Sequence, residues 1–138
     1  MTENSIEVAS GATSAPEVGK VRYGGVGFDC ADPAELGRFY GTALGLPVAA
    51  STDDFVLLGR EGGTYLAFVR IDDYRPPTWP EGAVPKQAHL ELGVDDLDEG
   101  QAYLVGLGAT AAPWQPEPDR WRVLLDPAGH PFCISTRA

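Results

Sequence analysis

Apolar and polar residues alternate along several short segments of the chain and recur at helical spacing along two longer ones. The clearest alternation predicts a strand over residues 86–94, in which His89 and Glu91 share one face and apolar residues occupy the other. One face of this strand is therefore expected to pack in a core, and the other to contact a ligand. The same pattern predicts further strands over residues 21–30, 46–51, 55–59, 64–71, 110–114, 121–125 and 131–136.

Two helices are predicted from apolar stripes that lie between capping residues. The first follows Asp32, has Pro33 at its first position and ends at Gly45. The second follows Asp96 and ends at Gly108. Each helix comes directly after a predicted strand and is followed by three more strands.

The two halves of the chain repeat one another. Equivalent residues are separated by 64 positions, and the matching pairs are Asp32 with Asp96, Glu35 with Glu99, and Phe39 with Tyr103. An internal repeat indicates two copies of one structural unit. We therefore expect an α+β fold in a single domain over residues 21–138, with βαβββ modules at 21–71 and 86–136 joined by a Pro-rich loop at 72–85.

Composition narrows the class of protein. With 138 residues and 43% hydrophobic content, the chain is long enough for one domain with a hydrophobic core. Its net charge of −10 argues against nucleic acid as a partner, because phosphate binding requires a basic surface. A membrane partner is not expected either, because no apolar run approaches the roughly 20 residues that a membrane span requires.

The N-terminal residues and the two cysteines indicate where in the cell the protein is located. Residues 1–20 are polar, without the apolar segment of a secretion signal, and are predicted to form a disordered tail. Cys30 and Cys133 are expected to be reduced thiols that do not form a disulfide. We therefore expect a cytoplasmic protein.

Short motifs surround the predicted helices and the last turn of the chain. They are Ala31-Asp32-Pro33, Arg38-Phe39-Tyr40, Leu44-Gly45-Leu46, the segment at 89–97 and the segment at 126–132. In order and spacing, over residues 21–136, these motifs resemble the vicinal oxygen chelate superfamily, which includes glyoxalase I, bleomycin resistance proteins and extradiol dioxygenases. The resemblance implies paired βαβββ modules that form a curved mixed sheet around a ligand cavity, with the helices on the outside. It also implies a homodimer.

Metal-using members of this superfamily place ligands on the first and last strands of each module. Carried onto this chain, the four positions fall on Gly25, Ala67, His89 and Cys133. His89 is the only strong ligand at an expected position, whereas a catalytic divalent site commonly has three protein ligands. We therefore expect no metal and no other cofactor. A divalent metal would require Glu91 or Asp29 to join His89 and Cys133 as a ligand.

Strand alternation places Asp29, Tyr65 and Glu91 beside these four positions, around a small-molecule ligand. Trp79 in the loop between the modules, and the two tryptophans that flank the Pro-rich turn, are expected to line the same cavity. The predicted ligand-binding residues are Asp29, Tyr65, Trp79, His89, Glu91, Trp114, Trp121 and Cys133. Carboxylates at Asp29 and Glu91 would make the cavity acidic, which suits a cationic aromatic ligand. For the tryptophans, packing in the core or at a dimer interface is the alternative. For Cys133 the alternatives are a reactive thiol and a small apolar filler.

His89 and Glu91 are also the candidate catalytic residues, because a carboxylate beside a histidine tunes it for acid–base chemistry. The alternative is a polar pair that only lines the pocket. We expect a metal-independent small-molecule-binding protein of the glyoxalase/bleomycin-resistance type that sequesters a cationic or aromatic compound. The alternative function is a lyase, isomerase or dioxygenase of the same superfamily that uses His89 and Glu91, with or without a divalent metal.

Overall fold

The computed structural model describes residues 19–138, which form two modules with the same order of elements. The first contains β1 (Gly25–Cys30), α1 (Pro33–Leu44), β2 (Val48–Ser51), β3 (Phe55–Leu58) and β4 (Tyr65–Arg70). The second contains β5 (Leu90–Gly93), α2 (Leu97–Leu107), β6 (Thr110–Ala111), β7 (Trp121–Leu125) and β8 (Pro131–Ser135). The predicted α+β class and βαβββ order are confirmed. The predicted tail lies outside the described residues, apart from its last two positions.

Each module forms its own four-stranded mixed sheet. The strand order is β1-β4-β3-β2 in the first sheet and β5-β8-β7-β6 in the second. In both sheets the first strand of the module pairs in parallel with the last one, and the remaining neighbours are antiparallel. The repeated sequence therefore gives a repeated topology.

Both helices begin and end where the sequence predicts. The Asp32 side chain accepts a hydrogen bond of 3.1 Å from the backbone N–H three residues further on, and Asp96 does the same at 2.9 Å. Gly45 ends α1 with a φ of 66°, and Gly108 ends α2 with a φ of 126°, backbone conformations that favour glycine. Within the described part of the chain, neither helix is long and apolar enough to cross a membrane.

Strand alternation gives each sheet a buried face and a more open face. On β4, Leu66 and Phe68 are buried, whereas Tyr65 and Val69 are 36% and 40% exposed, as the sequence predicts. The buried faces of both sheets and the inner sides of both helices share one hydrophobic core. Its buried members are Cys30, Leu36, Phe39, Tyr40, Val56, Leu58, Leu66, Phe68, Leu104, Ala109, Leu124, Phe132 and Ile134. The open faces are therefore left for ligand or partner contacts.

A buried hydrogen bond connects the two modules within this core. The Tyr40 hydroxyl on α1 donates to Asp126 Oδ2 at 2.7 Å. Asp126 Oδ1 accepts the backbone N–H groups of Ala128 and His130, at 2.9 and 3.0 Å. Burial raises the pKa of the Asp126 carboxyl, while these donors favour its ionised form. The turn between β7 and β8 is thereby fixed against the first module.

The strand predicted over residues 86–94 is shorter than its alternation suggests. It begins only at Leu90, which pairs with the second residue of β8. Its parallel neighbour begins at Pro131, which has no N–H to extend the ladder in this direction. His89 therefore lies immediately before β5 rather than within it.

The strand predicted over residues 110–114 is also too long, since β6 ends at Ala111. Pro113 offers no N–H to continue the pairing with β7. The side chain of Gln115 takes the place of the strand instead: it accepts the Val123 N–H and donates to the Val123 carbonyl, each at 2.8 Å. The chain can then leave the sheet edge and form the loop beside the site.

Candidate functional site

A cleft of about 710 Å³ lies on the open face of the second sheet. It is bounded by β7, β8, the start of β5 and the loops that precede β5 and β7, and all its lining residues fall between Trp79 and Arg137. A cavity of this size is typical of small-molecule sites. The first module contributes no side chain to it.

His89, Glu91 and Cys133 come together in this cleft. His89 Nε2 lies 2.9 Å from Glu91 Oε2, and one potential ligand atom from each of the three residues lies within 4.8 Å of the others. Glu91 and Cys133 are cross-strand partners in the parallel β5–β8 pair, so the sheet register sets their approach. His89 reaches them from the position just before β5.

The exposure and charge of these groups differ. The His89 side chain is 28% exposed and that of Glu91 is 69% exposed. Burial raises the pKa of the Cys133 thiol, the charge of Glu91 raises it further, and Lys86 lowers it. The thiol is therefore protonated at neutral pH, which favours a packing role over an activated nucleophile.

The donor set of this cluster fits a divalent metal. A histidine nitrogen, a carboxylate oxygen and a cysteine sulfur are donors that Zn²⁺ accepts, and three protein ligands leave a position open. Glu91, which lies outside the four positions inferred from the superfamily, is the residue that completes the set. At the two positions in the first module, Gly25 and Ala67, no donor atom is present.

Gly25 lacks a side chain for a packing reason. A Cβ at this position would collide with the Tyr65 carbonyl oxygen and lie 2.7 Å from the Tyr65 nitrogen on the adjacent strand β4. At Gly27, two residues further along β1, the nearest atoms to a Cβ would belong to Ala67 at 3.9 Å, an ordinary contact. The backbone itself therefore excludes a ligand side chain at position 25.

Gly25→Ala is therefore expected to lower the free energy of unfolding by about 1–3 kcal/mol, because the strands must separate to admit the methyl group. Gly27→Ala, the matched control on the same face, is expected to be neutral or to stabilise by up to about 1 kcal/mol. Urea denaturation of both variants measures the difference. Equal effects of the two substitutions would contradict the close approach of β1 and β4.

The three tryptophans have different positions. Trp79 and Trp121 line the cleft, as predicted ligand-binding residues should. Trp114 does not line it and is 52% exposed, and its ring packs against Trp79 with centroids 5.3 Å apart. Trp114 therefore supports Trp79 from outside the cleft.

Asp29 and Tyr65 lie on the open face of the first sheet, away from this cleft. The Asp29 carbonyl accepts a 2.7 Å hydrogen bond from His130 Nε2, so His130 acts as a contact between the modules. Alternation correctly predicts the face on which Asp29 and Tyr65 lie. A single chain does not bring them into one cavity with His89, because the two sheets are separate.

The cleft also contains four charged residues that the sequence reasoning did not identify. They are Lys86, Asp119, Arg120 and Arg137. For Arg137 a signal exists, since it continues the alternation of Cys133 and Ser135 beyond the end of the predicted strand. Asp119 and Arg120 lie in a loop, where alternation predicts no direction for a side chain. Lys86 lies in the loop before β5, whereas alternation predicts it inside the strand over residues 86–94, on the face opposite to His89.

Comparisons with known proteins agree with this architecture. A family model described as a glyoxalase-like domain matches residues 25–135. Similar solved structures include a glyoxalase family protein from Enterococcus faecalis, at 21% identity over 83% of this chain and 96% of that chain, with a TM-score of 0.60. The trypanothione-dependent glyoxalase I of Leishmania major is 18% identical over 84% of this chain and 86% of that chain, with a TM-score of 0.57. The oxidase ChaP-H2 is 23% identical over 86% of this chain and 95% of that chain, with a TM-score of 0.56.

These identities show the fold alone, and no curated protein matches the chain in sequence. The family model, in contrast, covers all ten helices and strands of the two modules. The chain therefore belongs to the glyoxalase-like domain family, within the vicinal oxygen chelate superfamily.

Proposed function

We propose that this protein is a metal-independent small-molecule-binding protein of the glyoxalase/bleomycin-resistance type that sequesters an aromatic compound. The observation that carries the proposal is the cleft of about 710 Å³, in which Trp79 and Trp121 accompany the polar group formed by His89 and Glu91. Aromatic walls with a few convergent polar groups are the usual composition of a small-molecule site.

Metal independence is supported by the first module. Of the four positions at which metal-using relatives in the superfamily carry ligands, Gly25 and Ala67 offer no donor atom, and the backbone of Tyr65 leaves no room for one at position 25. In the second module the Cys133 thiol has a raised pKa, so metal binding must first remove its proton.

The observed position of Asp29 removes the main reason to expect a cationic ligand. A cationic ligand was expected because Asp29 and Glu91 together would make the cavity acidic. Asp29 lies outside the cleft, and Glu91 is already paired with His89. Only the aromatic part of the expected ligand class is therefore retained.

A ligand screen by thermal unfolding tests the proposal, because a ligand that binds only the folded state at 100 times its Kd stabilises it by about 2.7 kcal/mol. We expect aromatic compounds to raise Tm equally before and after treatment with EDTA. His89→Ala and Glu91→Gln are expected to change ligand affinity, with no product formed by the wild type or either variant. Turnover of a stabilising compound would instead support an enzyme.

The second candidate is a lyase, isomerase or dioxygenase of the superfamily that uses His89 and Glu91. The grouping of His89, Glu91 and Cys133 favours it, since these residues would hold a divalent metal that polarises a bound oxygen. Without a metal, Glu91 would orient the His89 ring, and His89 would take up and return a proton of the substrate. Metal analysis after purification without chelators separates the candidates: a stoichiometric divalent metal that is lost in His89→Ala supports this one.

We also propose that the protein is a homodimer. The open face of the first sheet supports this, because Tyr65 and Val69 are partly exposed there beside two glycines and no helix of the described chain covers them. A second copy could bring Asp29 and Tyr65 to the edge of the cleft. Light scattering during gel filtration should give twice the chain mass, and Val69→Lys should give a monomer. A monomeric wild type would contradict the proposal. The cytoplasmic location stays a prediction.

A further inference from the structure

The cleft of this acidic protein is lined by more basic than acidic side chains. The chain has 20 acidic and 10 basic residues, yet the cleft is lined by three basic residues, Lys86, Arg120 and Arg137, and by two acidic ones, Glu91 and Asp119. Because Glu91 is hydrogen-bonded to His89, its charge is partly engaged within the protein. Basic residues thus outnumber acidic ones in the cleft, whereas acidic residues outnumber basic ones in the whole chain.

Lys86 has no internal role that accounts for its charge. The side chain is half-buried, and no hydrogen bond or ion pair joins it to another described residue. Among the influences on the pKa of the Cys133 thiol, burial raises it most, Glu91 raises it further and Lys86 lowers it. Lys86 lines the cleft together with Glu91 and Cys133, and no ion pair joins it to Glu91 in the described part of the chain.

Arg137 also lacks an acidic partner among the residues that the structure describes. Its backbone N–H donates to Ser135 Oγ at 3.2 Å, and its guanidinium makes no ion pair with a side chain of residues 19–138. Arg122, on the adjacent strand, is different: it binds Asp98 at 2.7 Å and does not line the cleft. Asp98 thus neutralises Arg122, whereas Arg137 in the cleft has no such partner among the described residues.

Arg120 contributes less than these two. Its contact with Glu117 is at 4.0 Å, and its side chain is 70% exposed at the rim of the cleft. An exposed cation of this kind is strongly screened by water and salt. Arg137 is exposed as well, but unlike Arg120 it has no acidic partner among the described residues. Recognition of a charged ligand therefore rests on the half-buried Lys86 and on Arg137.

We propose that the ligand carries a carboxylate or phosphate group beside its aromatic body, and that Lys86 and Arg137 bind this anionic group. The proposal rests on the proposed small-molecule-binding function and names the class of ligand for the same cleft. A guanidinium presents paired N–H donors that match carboxylate and phosphate oxygens, and an ammonium adds a compact charge. The tryptophans of the cleft would contact the aromatic body.

Calorimetric titration with matched probes tests the proposal. Phenyl, naphthyl and indolyl series are each used as carboxylate, amine and uncharged members, so that only the charge varies. We expect the carboxylates to bind at least about tenfold more tightly than the uncharged members, a difference of about 1.4 kcal/mol. The amines are expected to bind most weakly, and the preference for carboxylates should decline as salt is added.

Substitutions of Lys86 and Arg137 test whether these two residues cause the preference for carboxylate probes. Lys86→Gln and Arg137→Gln should each reduce the preference for carboxylates, and the double variant should abolish it while binding of the uncharged probes persists. Arg38→Gln, an exposed arginine on α1 outside the cleft, is the control and should leave affinities unchanged. Equal or tighter binding of amines, or a preference that survives in the double variant, overturns the proposal and leaves the binding function intact. Failure of every probe to bind counts against the proposed function itself.

Discussion

Phe68→Ala is expected to lower the free energy of unfolding by about 3–5 kcal/mol, since it removes a fully buried aromatic ring and leaves a cavity. Phe68 is 0% exposed on β4, and its ring stacks on Tyr40 with centroids 5.4 Å apart. Tyr40 in turn donates to Asp126 in the second module. The cavity would therefore open beside the contact that holds the modules together.

Urea denaturation of wild type and variant measures this loss. Val48→Ala is the control, because Val48 is an apolar residue of β2 that is 59% exposed, and it should cost about 0.5 kcal/mol or less. A loss below about 1 kcal/mol for Phe68→Ala, similar to that of ordinary surface substitutions, would contradict the placement of Phe68 in the shared core.

Trp121→Ala is expected to weaken binding of an aromatic ligand by about 30-fold, or about 2 kcal/mol, which is the scale of a principal contact residue. Trp121 is half-buried on β7 and lines the cleft, so its indole offers a large apolar wall to the ligand. Calorimetric titration well below the unfolding temperature of the variant measures the change.

Tyr103→Ala provides the aromatic control for this experiment. Tyr103 lies on α2, is 53% exposed and does not line the cleft, so its removal should leave ligand affinity unchanged. A similar loss in both variants would indicate a general effect on the fold. Unchanged affinity in Trp121→Ala would place the ligand elsewhere.

Much of the fold could be predicted because its signals are local. Aspartate before each helix and glycine after it have the same physical role at every occurrence, so Asp32, Asp96, Gly45 and Gly108 were identified correctly. Phe68 is likewise predicted on the buried face of its strand, because successive side chains of a strand point to opposite faces. The 64-residue repeat then predicted two modules with one topology, which the sheets confirm.

The site was less predictable because it depends on contacts between distant segments. Alternation predicts the face on which a side chain lies but not which sheet it meets, so Asp29 was placed in a cavity that it does not line. The start of β5 depended on Pro131 in the strand beside it, more than 40 residues away. Lys86 lies in the loop before β5, although alternation predicts it inside the strand over residues 86–94, because the start of that strand is set by its neighbour.

Calorimetric titration of the tightest-binding aromatic ligand into EDTA-treated protein measures whether the cleft binds this ligand without a metal. We expect one ligand per chain, with a Kd that is unchanged when a divalent metal is added back and is about 30-fold weaker in Trp121→Ala. Binding that disappears on chelation and returns with stoichiometric divalent metal would contradict this expectation, and would assign His89, Glu91 and Cys133 to a metal centre.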